Sequence, residues 1–334
     1  MKILVVFTGG TIGSSVDSDG YFSPDQNKGY KLLNLYAEKY GDTEVSFETA
    51  MPIRILSEQL NSNYLYTIIS FVKEKINEDY DGIIVTHGTD TVQYSASALG
   101  YALGNECIPV VLVSSNYILE DSRMNGLDNF KGAVDFICEK KYKGVFVSYR
   151  NPSKELTIHR ATRLLAHNPY VDDLYSVYNS YVGTYLENGF VANESFFEMK
   201  DQMEVFANLW NGSFGSVIWL QSHPGMAWDK IDIENAQAIL VSAYHSGTLN
   251  TDSRELISIA EQAQKLRVPI YLVGAVEEAV YSSKKTYDEL GIKILPVMAP
   301  ISAYMKLSMI ISMGLDPDVY MNKSLAGDIW VQAN

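Results

Sequence analysis

The stretch Ile3-Leu4-Val5-Val6-Phe7-Thr8-Gly9-Gly10-Thr11-Ile12-Gly13 decides the fold of this chain. Its first five residues are apolar without alternation, which is typical of a strand buried on both faces of a parallel sheet. The adjacent glycines Gly9 and Gly10 then permit a tight turn and a close approach of a ligand to the backbone. Ligands of open parallel sheets bind at the carboxyl ends of the strands. Thr11 therefore stands where a hydroxyl group can take part in chemistry.

A second stretch has the same pattern of an apolar strand followed by a polar turn. Residues 82–86 are predicted as a strand, His87-Gly88-Thr89-Asp90-Thr91 as a turn, and residues 92–103 as a helix rich in small side chains. If the two strands are neighbours, both turns converge on one edge of the sheet. The sequence thus predicts one site that two Thr- and Gly-rich turns share.

The rest of the chain alternates predicted strands with predicted helices, which indicates a doubly wound α/β fold. Residues 151–193 are less regular, and a second α/β pattern begins near residue 216. We expect a larger N-terminal domain with a doubly wound parallel sheet at 1–195, a connector at 196–215, and a second, smaller flavodoxin-like α/β domain at 216–334. Further strands are predicted at 44–48, 108–113, 144–149, 216–221, 238–243, 270–274 and 292–297, and helices at 31–39, 64–77, 123–139 and 301–313.

The composition is that of an ordinary globular protein, with 47% hydrophobic and 20% charged residues among 334. A net charge of −14 argues against nucleic acid or an anionic membrane as a partner. The apolar run at the amino terminus is too short for a signal peptide, and no run approaches the roughly 18 apolar residues of a membrane span. Cys107 and Cys138 are expected to be small buried side chains without a disulfide. These features favour a cytoplasmic protein.

Taken together, the two turns resemble the two signatures of the bacterial L-asparaginase/glutaminase family. Thr-Gly-Gly-Thr-Ile at 8–12 is similar to the first signature, His-Gly-Thr-Asp-Thr at 87–91 to the second, and their spacing also suits the family. The resemblance spans essentially the full length, although the matching motifs concentrate in residues 1–130. It implies an amidohydrolase that releases ammonia from L-asparagine, with glutamine as a further candidate substrate, and it implies no cofactor.

An amide hydrolase needs a nucleophile, a group that takes its proton, and donors for the oxyanion. Thr11 is the candidate nucleophile. Tyr21 lies in a loop at 14–30 that is a candidate lid, and its ring either relays the proton of Thr11 or packs on the surface. The family resemblance implies the same roles for Thr11 and Tyr21. It also implies that Thr89 is a second catalytic hydroxyl and that Asp90 completes the catalytic set.

The resemblance further implies a set of substrate-binding residues around the two turns. Ser57-Glu58 resembles the substrate-carboxylate loop of the family. Gly10, Gly88 and Ser114 are also predicted to contact the substrate. His87 is not the general base in that family, and we expect it to be a buried hydrogen-bonding residue.

A neighbouring subunit is expected to complete the site. Family members are typically dimers of dimers, in which carboxy-terminal residues contribute substrate contacts across the interface. The stretch Tyr244-His245-Ser246-Gly247-Thr248 ends a second-domain strand at the matching place, so His245 and Thr248 are the predicted contributions. The alternative is an internal loop of the second domain. The resemblance therefore predicts a homodimer or homotetramer that binds a small amino acid.

Three other functions were weighed against the amidohydrolase. A dinucleotide oxidoreductase needs Gly-x-Gly-x-x-Gly, and a phosphate-loop enzyme needs Gly-Lys-Ser/Thr; the first turn has neither. A non-catalytic amino-acid-binding relative, which keeps the pocket without turnover, stays open. The histidines and arginines between residues 159 and 167 lack metal-ligand spacing, so structural hydrogen bonding is the favoured interpretation and no metal is expected.

One residue of the family pattern is missing. The second hydroxyl of the family is normally activated by a Thr-Asp-Lys set, and the comparable stretch 158–167 contains no lysine. Leu165 or Ala166 would fall at that position. We therefore expect a weakened or retuned amidohydrolase, or a catalytically impaired relative that binds an amino acid.

Two nearby basic residues are candidates for the missing charge. The guanidinium of Arg163 stays protonated and cannot exchange a proton usefully, although it can neutralise Asp90 electrostatically. His167 titrates near neutrality and is a candidate substitute if the backbone brings it within reach.

Overall fold

The computed structural model describes the chain apart from residues 11, 13, 17–21, 25–27, 42–43, 106, 197–205, 207–208, 278–280 and 333–334, and describes only the backbone of residues 14–16, 22–24 and 28–30. The predicted strands and helices lie in the expected order, with bounds that differ by a few residues. The strands are β1 (Lys2–Phe7), β2 (Ser14–Val16), β3 (Phe22–Pro24), β4 (Ser46–Ala50), β5 (Gly82–Thr86), β6 (Val110–Val113), β7 (Val145–Arg150), β8 (Leu156–Arg160), β9 (Gly183–Leu186), β10 (Gly189–Ala192), β11 (Val217–Gln221), β12 (Ala238–Ser242), β13 (Ile270–Val273) and β14 (Ile292–Ile294). The helices are α1 (Lys28–Tyr40), α2 (Ser62–Lys75), α3 (Val92–Leu103), α4 (Gly126–Cys138), α5 (Arg254–Leu266), α6 (Ser283–Leu290), α7 (Pro300–Ser312) and α8 (Pro317–Tyr320).

The larger sheet has the strand order β10-β9-β8-β7-β6-β5-β1-β4. The five strands from β7 to β4 are parallel, and β1 pairs directly with β5. Residues 3–6 of β1 are buried because helices cover both faces of the sheet, as the uninterrupted apolar run predicts. Since β1 and β5 are neighbours, the turns that follow them emerge side by side.

The region 151–193 is more regular than its sequence suggests. It contributes β8, β9 and β10, which extend the sheet with antiparallel strands beyond β7. These strands are short, and β9 and β10 join through a tight hairpin in which Gly189 has a φ of +106°. Strands of four or five residues with mixed polarity carry a weak hydrophobic signal, so periodicity alone did not predict them.

Helices cover the two faces of the larger sheet, so the expected doubly wound α/β arrangement is confirmed. The side chains of α2, α3 and α7 pack in one core with Leu4 and Val85, and those of α1 and α4 pack in another with Ile3 and Ile84. The small residues of α3 permit close packing: a Cβ added at Gly100 would lie 2.8 Å from the Cγ2 atom of Thr162.

The smaller sheet contains β11, β12, β13 and β14, all parallel. Its described strands follow one another in chain order, without the reversal at the first strand that characterises flavodoxin. Helix α7 follows this sheet and packs on α3, where the hydroxyl groups of Ser97 and Ser302 are hydrogen-bonded at 2.8 Å. The two sheets thus share a continuous core through α7.

The segment 326–329 returns to the larger sheet. The hydroxyl of Thr162 donates to the carbonyl of Ala326 at 2.7 Å. Lys306 and Asp328 form a fully buried ion pair at 2.7 Å, and the hydroxyl of Tyr101 donates to the same carboxylate at 3.1 Å. These contacts fix the late segment of the chain against α3.

The two cysteines differ in exposure. Cys107 is partly buried, and desolvation raises the pKa of its thiol to about 11. Cys138 is exposed at the end of α4, so the expectation that it is buried was wrong; its side chain falls on the solvent face of the amphipathic helix. No helix in the described part of the chain is both long and apolar enough to cross a lipid bilayer.

Candidate active site

The turns after β1 and β5 pack against each other through their backbones. Gly9 and Gly10 adopt φ values of +104° and +75°, which side chains rarely permit. A Cβ at Gly10 would lie 2.4 Å from the amide nitrogen of Gly88, and one at Gly9 would lie 2.1 Å from the carbonyl oxygen of Ile55. Glycine is therefore required at both positions by conformation and by space.

The loop after β4 is tied to the first turn. The amide of Gly10 donates to the carbonyl of Ile55 at 3.2 Å, and the amide of Ile55 donates to the carbonyl of Thr8 at 3.1 Å. The hydroxyl of Thr8 donates to the carbonyl of Thr86 at 2.7 Å. Because the Gly10 amide already has this acceptor, oxyanion donors are better sought at the amides of Gly88 and its neighbours.

Ser57 connects this loop to the second turn. Its hydroxyl donates to the carboxylate of Asp90 at 2.9 Å, and its carbonyl accepts from the hydroxyl of Thr91 at 2.7 Å. A Cβ at Gly88 would lie 2.4 Å from the Ser57 oxygen. Ser57 is buried whereas Asp90 is exposed, so the contact anchors a carboxylate that faces open space.

His87 is fixed as a neutral imidazole beneath the second turn. The Gly88 carbonyl can only accept, so Nδ1 of His87 carries the proton that it donates at 2.8 Å. Nε2 then accepts from the hydroxyl of Ser95, also at 2.8 Å. Desolvation lowers the pKa of the imidazole, although Asp90 acts in the opposite direction. The prediction of a buried hydrogen-bonding histidine is confirmed.

The structure locates only some of the residues that the sequence analysis placed in the site. Thr11 and Tyr21 lie outside the described residues. Thr89 is half-buried between Gly88 and Asp90, on the turn that packs against Gly10, and Glu58 is exposed beside the buried Ser57. Ser114 is fully buried, and its hydroxyl has no hydrogen-bond partner among the described residues.

The loop after β12 lies at a groove whose described lining does not include the turns after β1 and β5. Gly247 has a φ of +81°, and a Cβ there would lie 2.8 Å from the Cα atom of Ala275, so the loop turns tightly against the end of β13. The hydroxyl groups of Ser246 and Thr248 are 3.2 Å apart. His245 is exposed in a groove of about 330 Å³ that Leu165, Val177 and Tyr178 of the same chain also line. Within one chain, the described contacts of His245 and Thr248 do not join them to Asp90.

The described contacts of Arg163 do not include Asp90. The sequence had raised the possibility that the Arg163 guanidinium neutralises the Asp90 carboxylate. Its guanidinium is fully buried, donates from Nε to the carbonyl of Gly327 at 2.8 Å, and lies 5.0 Å from the ring of Phe196. The nearby His159 is also buried and shares a 2.8 Å hydrogen bond with the hydroxyl of Ser176. Structural hydrogen bonding, the interpretation favoured for this stretch, is confirmed.

His167 is half-buried and packs on Tyr149 near the carboxyl end of β7. Burial lowers the pKa of its imidazole, and the negative charges of Asp172, Asp90 and Asp173 partly offset that effect. Nδ1 donates to the carbonyl of Asp173 at 3.0 Å, and the ring centre lies 5.6 Å from that of Tyr149.

Asparagine side chains that bind backbone groups at the carboxyl ends of β6 and β7 were not predicted from the sequence. Asn151 binds both backbone groups of Leu174. Its Nδ2 donates to the Leu174 carbonyl at 3.0 Å, and its Oδ1 accepts from the Leu174 amide at 2.8 Å. Asn129 donates to the carbonyl of Ser114 at 2.9 Å and accepts from the amide of Arg150 at 2.7 Å. The sequence pattern that could have indicated them is an asparagine just after a predicted strand or in the following helix. Polar side chains at such positions commonly bind backbone groups.

These features define a class of protein: a doubly wound α/β protein in which two turns meet at the carboxyl edge of the sheet, the place where open α/β sheets commonly bind small ligands. A family model described as "Asparaginase, N-terminal" matches residues 2–192. The chain belongs to the asparaginase family. Its membership confirms the resemblance expected from the two signatures.

Individual relatives are distant. An L-asparaginase of Thermococcus kodakarensis is 34% identical over 152 residues, a match that spans 45% of this chain and 44% of that protein. A component of the glutamyl-tRNA(Gln) amidotransferase of Haloquadratum walsbyi is 25% identical over 337 residues, covering 98% of this chain and 75% of that protein. The corresponding amidotransferase component of Saccharolobus solfataricus is 26% identical, covering 98% and 76%.

Solved structures of L-asparaginases share the fold. The thermostable L-asparaginase of Thermococcus kodakarensis superposes with a TM-score of 0.82 at 22% identity, covering 99% of this chain and 100% of that one. L-asparaginase I of Vibrio cholerae superposes with a TM-score of 0.76 at 20% identity, covering 99% of each chain. At these identities the likeness establishes the architecture with its larger and smaller sheets.

Proposed function

We propose that the protein is an amidohydrolase that releases ammonia from L-asparagine. The observation that carries this proposal is the backbone packing of Gly10 against Gly88, which brings together the two turns that bear Thr11 and Thr89. Thr11 and Thr89 each follow one of these glycines in the sequence, and two hydroxyl residues suit acyl transfer because one can attack the amide while the other assists. Family membership supports the same reaction class.

Each turn has a role in this proposal. Thr11 attacks the side-chain amide, and Tyr21 and Thr89 handle the protons that are exchanged. The exposed carboxylate of Asp90, anchored by Ser57, attracts the α-ammonium group of an amino acid. Opposite charges at about 4 Å are worth roughly 4 kcal/mol near a protein surface, so this pairing can orient the substrate.

Substitution of Thr11 tests the proposal. Thr11→Ala removes the nucleophile, and Thr89→Val removes a hydroxyl while keeping its shape, so each variant is expected to lose ammonia release by roughly 10⁴-fold. The matched control is Thr157→Val, a half-buried strand residue away from the turns. Circular dichroism melting shows whether each variant is folded. A folded Thr11→Ala variant with near-parental turnover contradicts the assignment.

A second candidate substrate is glutamine. The relatives that match nearly the whole chain are amidotransferase components, and an amidotransferase must be supplied with amide nitrogen. Glu58, exposed beside Ser57, adds a carboxylate that favours an α-ammonium group and repels an α-carboxylate. A glutamine-to-asparagine rate ratio below about one in a thousand, equivalent to roughly 4 kcal/mol, counts against glutamine.

The remaining alternative is an amino-acid-binding protein without turnover. A thermal-shift series with asparagine, glutamine, aspartate and glutamate, run beside an ammonia assay, separates the two functions. A ligand at about 100 times its Kd stabilises the folded state by about 2.7 kcal/mol. Stabilisation by asparagine without release of ammonia identifies a binder, and stabilisation with release identifies the enzyme.

The proposed enzyme is a homodimer or homotetramer in which His245 and Thr248 of a neighbouring protomer complete the site. The exposure of His245 on a tight loop at the carboxyl end of β12 supports this arrangement. Light scattering coupled to the ammonia assay tests it. A monomer with full activity contradicts a shared site.

A further inference from the structure

Thr91 occupies the N-cap position of α3, but its side chain does not cap the helix. The hydroxyl of an N-cap threonine ordinarily accepts a hydrogen bond from a backbone N–H group two or three residues later. In the described part of the chain the Thr91 hydroxyl accepts no such bond, and it donates instead to the carbonyl of Ser57 at 2.7 Å. The φ of −128° and ψ of 15° at Thr91 also differ from the extended conformation that is usual at this position. The hydroxyl therefore serves the loop after β4 rather than its own helix.

The start of α3 is held by the backbone of Thr91 and not by its side chain. The amides of Tyr94 and Ser95 both donate to the Thr91 carbonyl, at 3.1 Å and 3.2 Å. Any residue at position 91 can form these main-chain bonds. Removal of the Thr91 hydroxyl therefore leaves the first hydrogen bonds of the helix in place, and its effect is expected to fall on the loop.

Ser57 lies in a ring of contacts that the Thr91 hydroxyl closes. The Ser57 hydroxyl donates to Asp90, the residue before Thr91, at 2.9 Å. The Ser57 carbonyl also accepts from the amide of Leu60 at 3.1 Å, and a Cβ at Gly88 would lie 2.4 Å from the Ser57 hydroxyl oxygen. Because residues 90 and 91 bind the side chain and the backbone of Ser57 at the same time, the two bonds fix both the place and the orientation of this loop residue.

We propose that Thr91 is a positioning residue of the amidohydrolase, whose hydroxyl holds the loop at 57–58 against the second turn. This inference rests on the proposed function, in which the Asp90 carboxylate attracts the α-ammonium group of the substrate. Asp90 and Glu58 stand on different loops, so the separation of their charges is constant only while the loops are tied together. Any motion between the loops has to be frozen when a small substrate binds, and that loss of entropy weakens binding. Thr91 thus acts through Ser57 and does not touch the substrate.

Steady-state ammonia release by Thr91→Val and Thr91→Ser tests the proposal, because valine keeps the shape without the donor and serine keeps the donor. Thr91→Val is expected to raise KM by about three- to tenfold, the effect of one neutral hydrogen bond, with little change in kcat. Thr91→Ser is expected to keep the parental KM. Thr67→Val is the matched control, because the half-buried Thr67 also donates to a backbone carbonyl, that of Asn63 at 2.9 Å within α2. A parental KM in Thr91→Val, or an equal rise in Thr91→Ser, overturns the proposal.

Hydrogen exchange of backbone amides separates loop positioning from helix capping and does not depend on turnover. Thr91→Val is expected to speed the exchange of the Leu60 amide, which donates to the Ser57 carbonyl, and to leave the amides of Tyr94 and Ser95 unchanged. An unchanged rate at Leu60, or a rate at the start of α3 that rises as much, overturns the proposal. If the parent releases ammonia from neither asparagine nor glutamine, the proposed function fails, and the exchange rates still show whether Thr91 holds the loop.

Discussion

The hydroxyl of Ser57 donates a 2.9 Å hydrogen bond to the carboxylate of Asp90 across 33 positions of sequence. The bond joins the loop after β4 to the turn after β5, and the hydroxyl of Thr91 donates back to the Ser57 carbonyl. The two loops therefore brace each other. The position of the Asp90 charge depends on a residue from a different strand connection.

Ser57→Ala is expected to lower kcat/KM for asparagine by about tenfold. Hydrogen bonds to charged groups contribute roughly 1.5–3 kcal/mol, and the exposure of Asp90 lets water replace part of that. Steady-state ammonia release gives the change. Ser46→Ala is the matched control, because Ser46 is an exposed serine that donates to a backbone carbonyl at 3.2 Å. Equal kcat/KM in both variants means that Ser57 does not position the carboxylate.

Gly10→Ala is expected to unfold the turn and to abolish activity. The variant combines a φ of +75° with a Cβ 2.4 Å from a backbone nitrogen, and neither strand can retreat without breaking the sheet. We expect a loss of about 4 kcal/mol or more in the free energy of unfolding. Chemical denaturation measures it.

Gly41→Ala separates the two causes. Gly41 has a φ of +59° and nothing within 4 Å of an added Cβ, so only the conformational cost of about 1–2 kcal/mol applies. If both variants lose the same stability, the contact with Gly88 is not what constrains Gly10.

His159 makes folding sensitive to acid. Burial lowers the pKa of its imidazole to about 3, against about 6.5 in the unfolded chain. Below about pH 6.5 the unfolded state binds one more proton than the folded state, so stability is complete above that pH and falls as the pH drops towards the folded-state pKa of about 3. This group contributes about 1.4 kcal/mol per pH unit within the window.

Urea unfolding of the parent and of His159→Gln between about pH 6 and pH 4 checks this contribution. Carboxylates affect both proteins equally, so the slope of the variant is expected to be shallower by about 1.4 kcal/mol per pH unit. His223→Gln, at an exposed histidine of the smaller sheet region, is measured beside them as the matched substitution. Parallel lines for the parent and His159→Gln contradict the buried neutral state of His159.

Lys306→Met is expected to lose about 3–5 kcal/mol of stability, because it leaves the Asp328 carboxylate buried without its cation. The double variant with Asp328→Asn is expected to recover part of that loss, since no uncompensated charge remains. Lys285→Met provides the control: its pair with Glu289 is exposed and 3.9 Å long, so the change stays within about 0.5 kcal/mol. A double variant no more stable than Lys306→Met argues against charge burial as the cause.

Sequence patterns predicted those parts of the structure that depend on neighbouring residues. The apolar run of β1 and the adjacent glycines specify a buried strand and a positive-φ turn within a single short stretch. The repeated strand-and-turn pattern predicted that the two turns converge if β1 and β5 are neighbours, and the fold meets that condition. The family resemblance then supplied the expectation of which polar residues form the site, and that expectation stays a prediction.

Contacts between distant segments were not predictable in the same way. Arg163 donates to a carbonyl 164 positions away, and no local pattern distinguishes that partner from Asp90. The short strands β8 to β10 gain their order by pairing in succession outward from β7, rather than from hydrophobic periodicity.

The hydrogen bonds that attach the segment 326–329 to α3 and to residues 162–163 have a consequence for how the chain folds. Tyr101 and Asp328 are separated by 227 positions, and both Thr162 and Arg163 use acceptors in that segment. During synthesis, the hydrogen bond between Tyr101 of α3 and Asp328 can form only after the segment 326–329 has left the ribosome. Contacts of such sequence separation slow folding. The larger sheet expressed without residues 326–329 is therefore expected to be less stable, because Tyr101, Thr162 and Arg163 lose these acceptors.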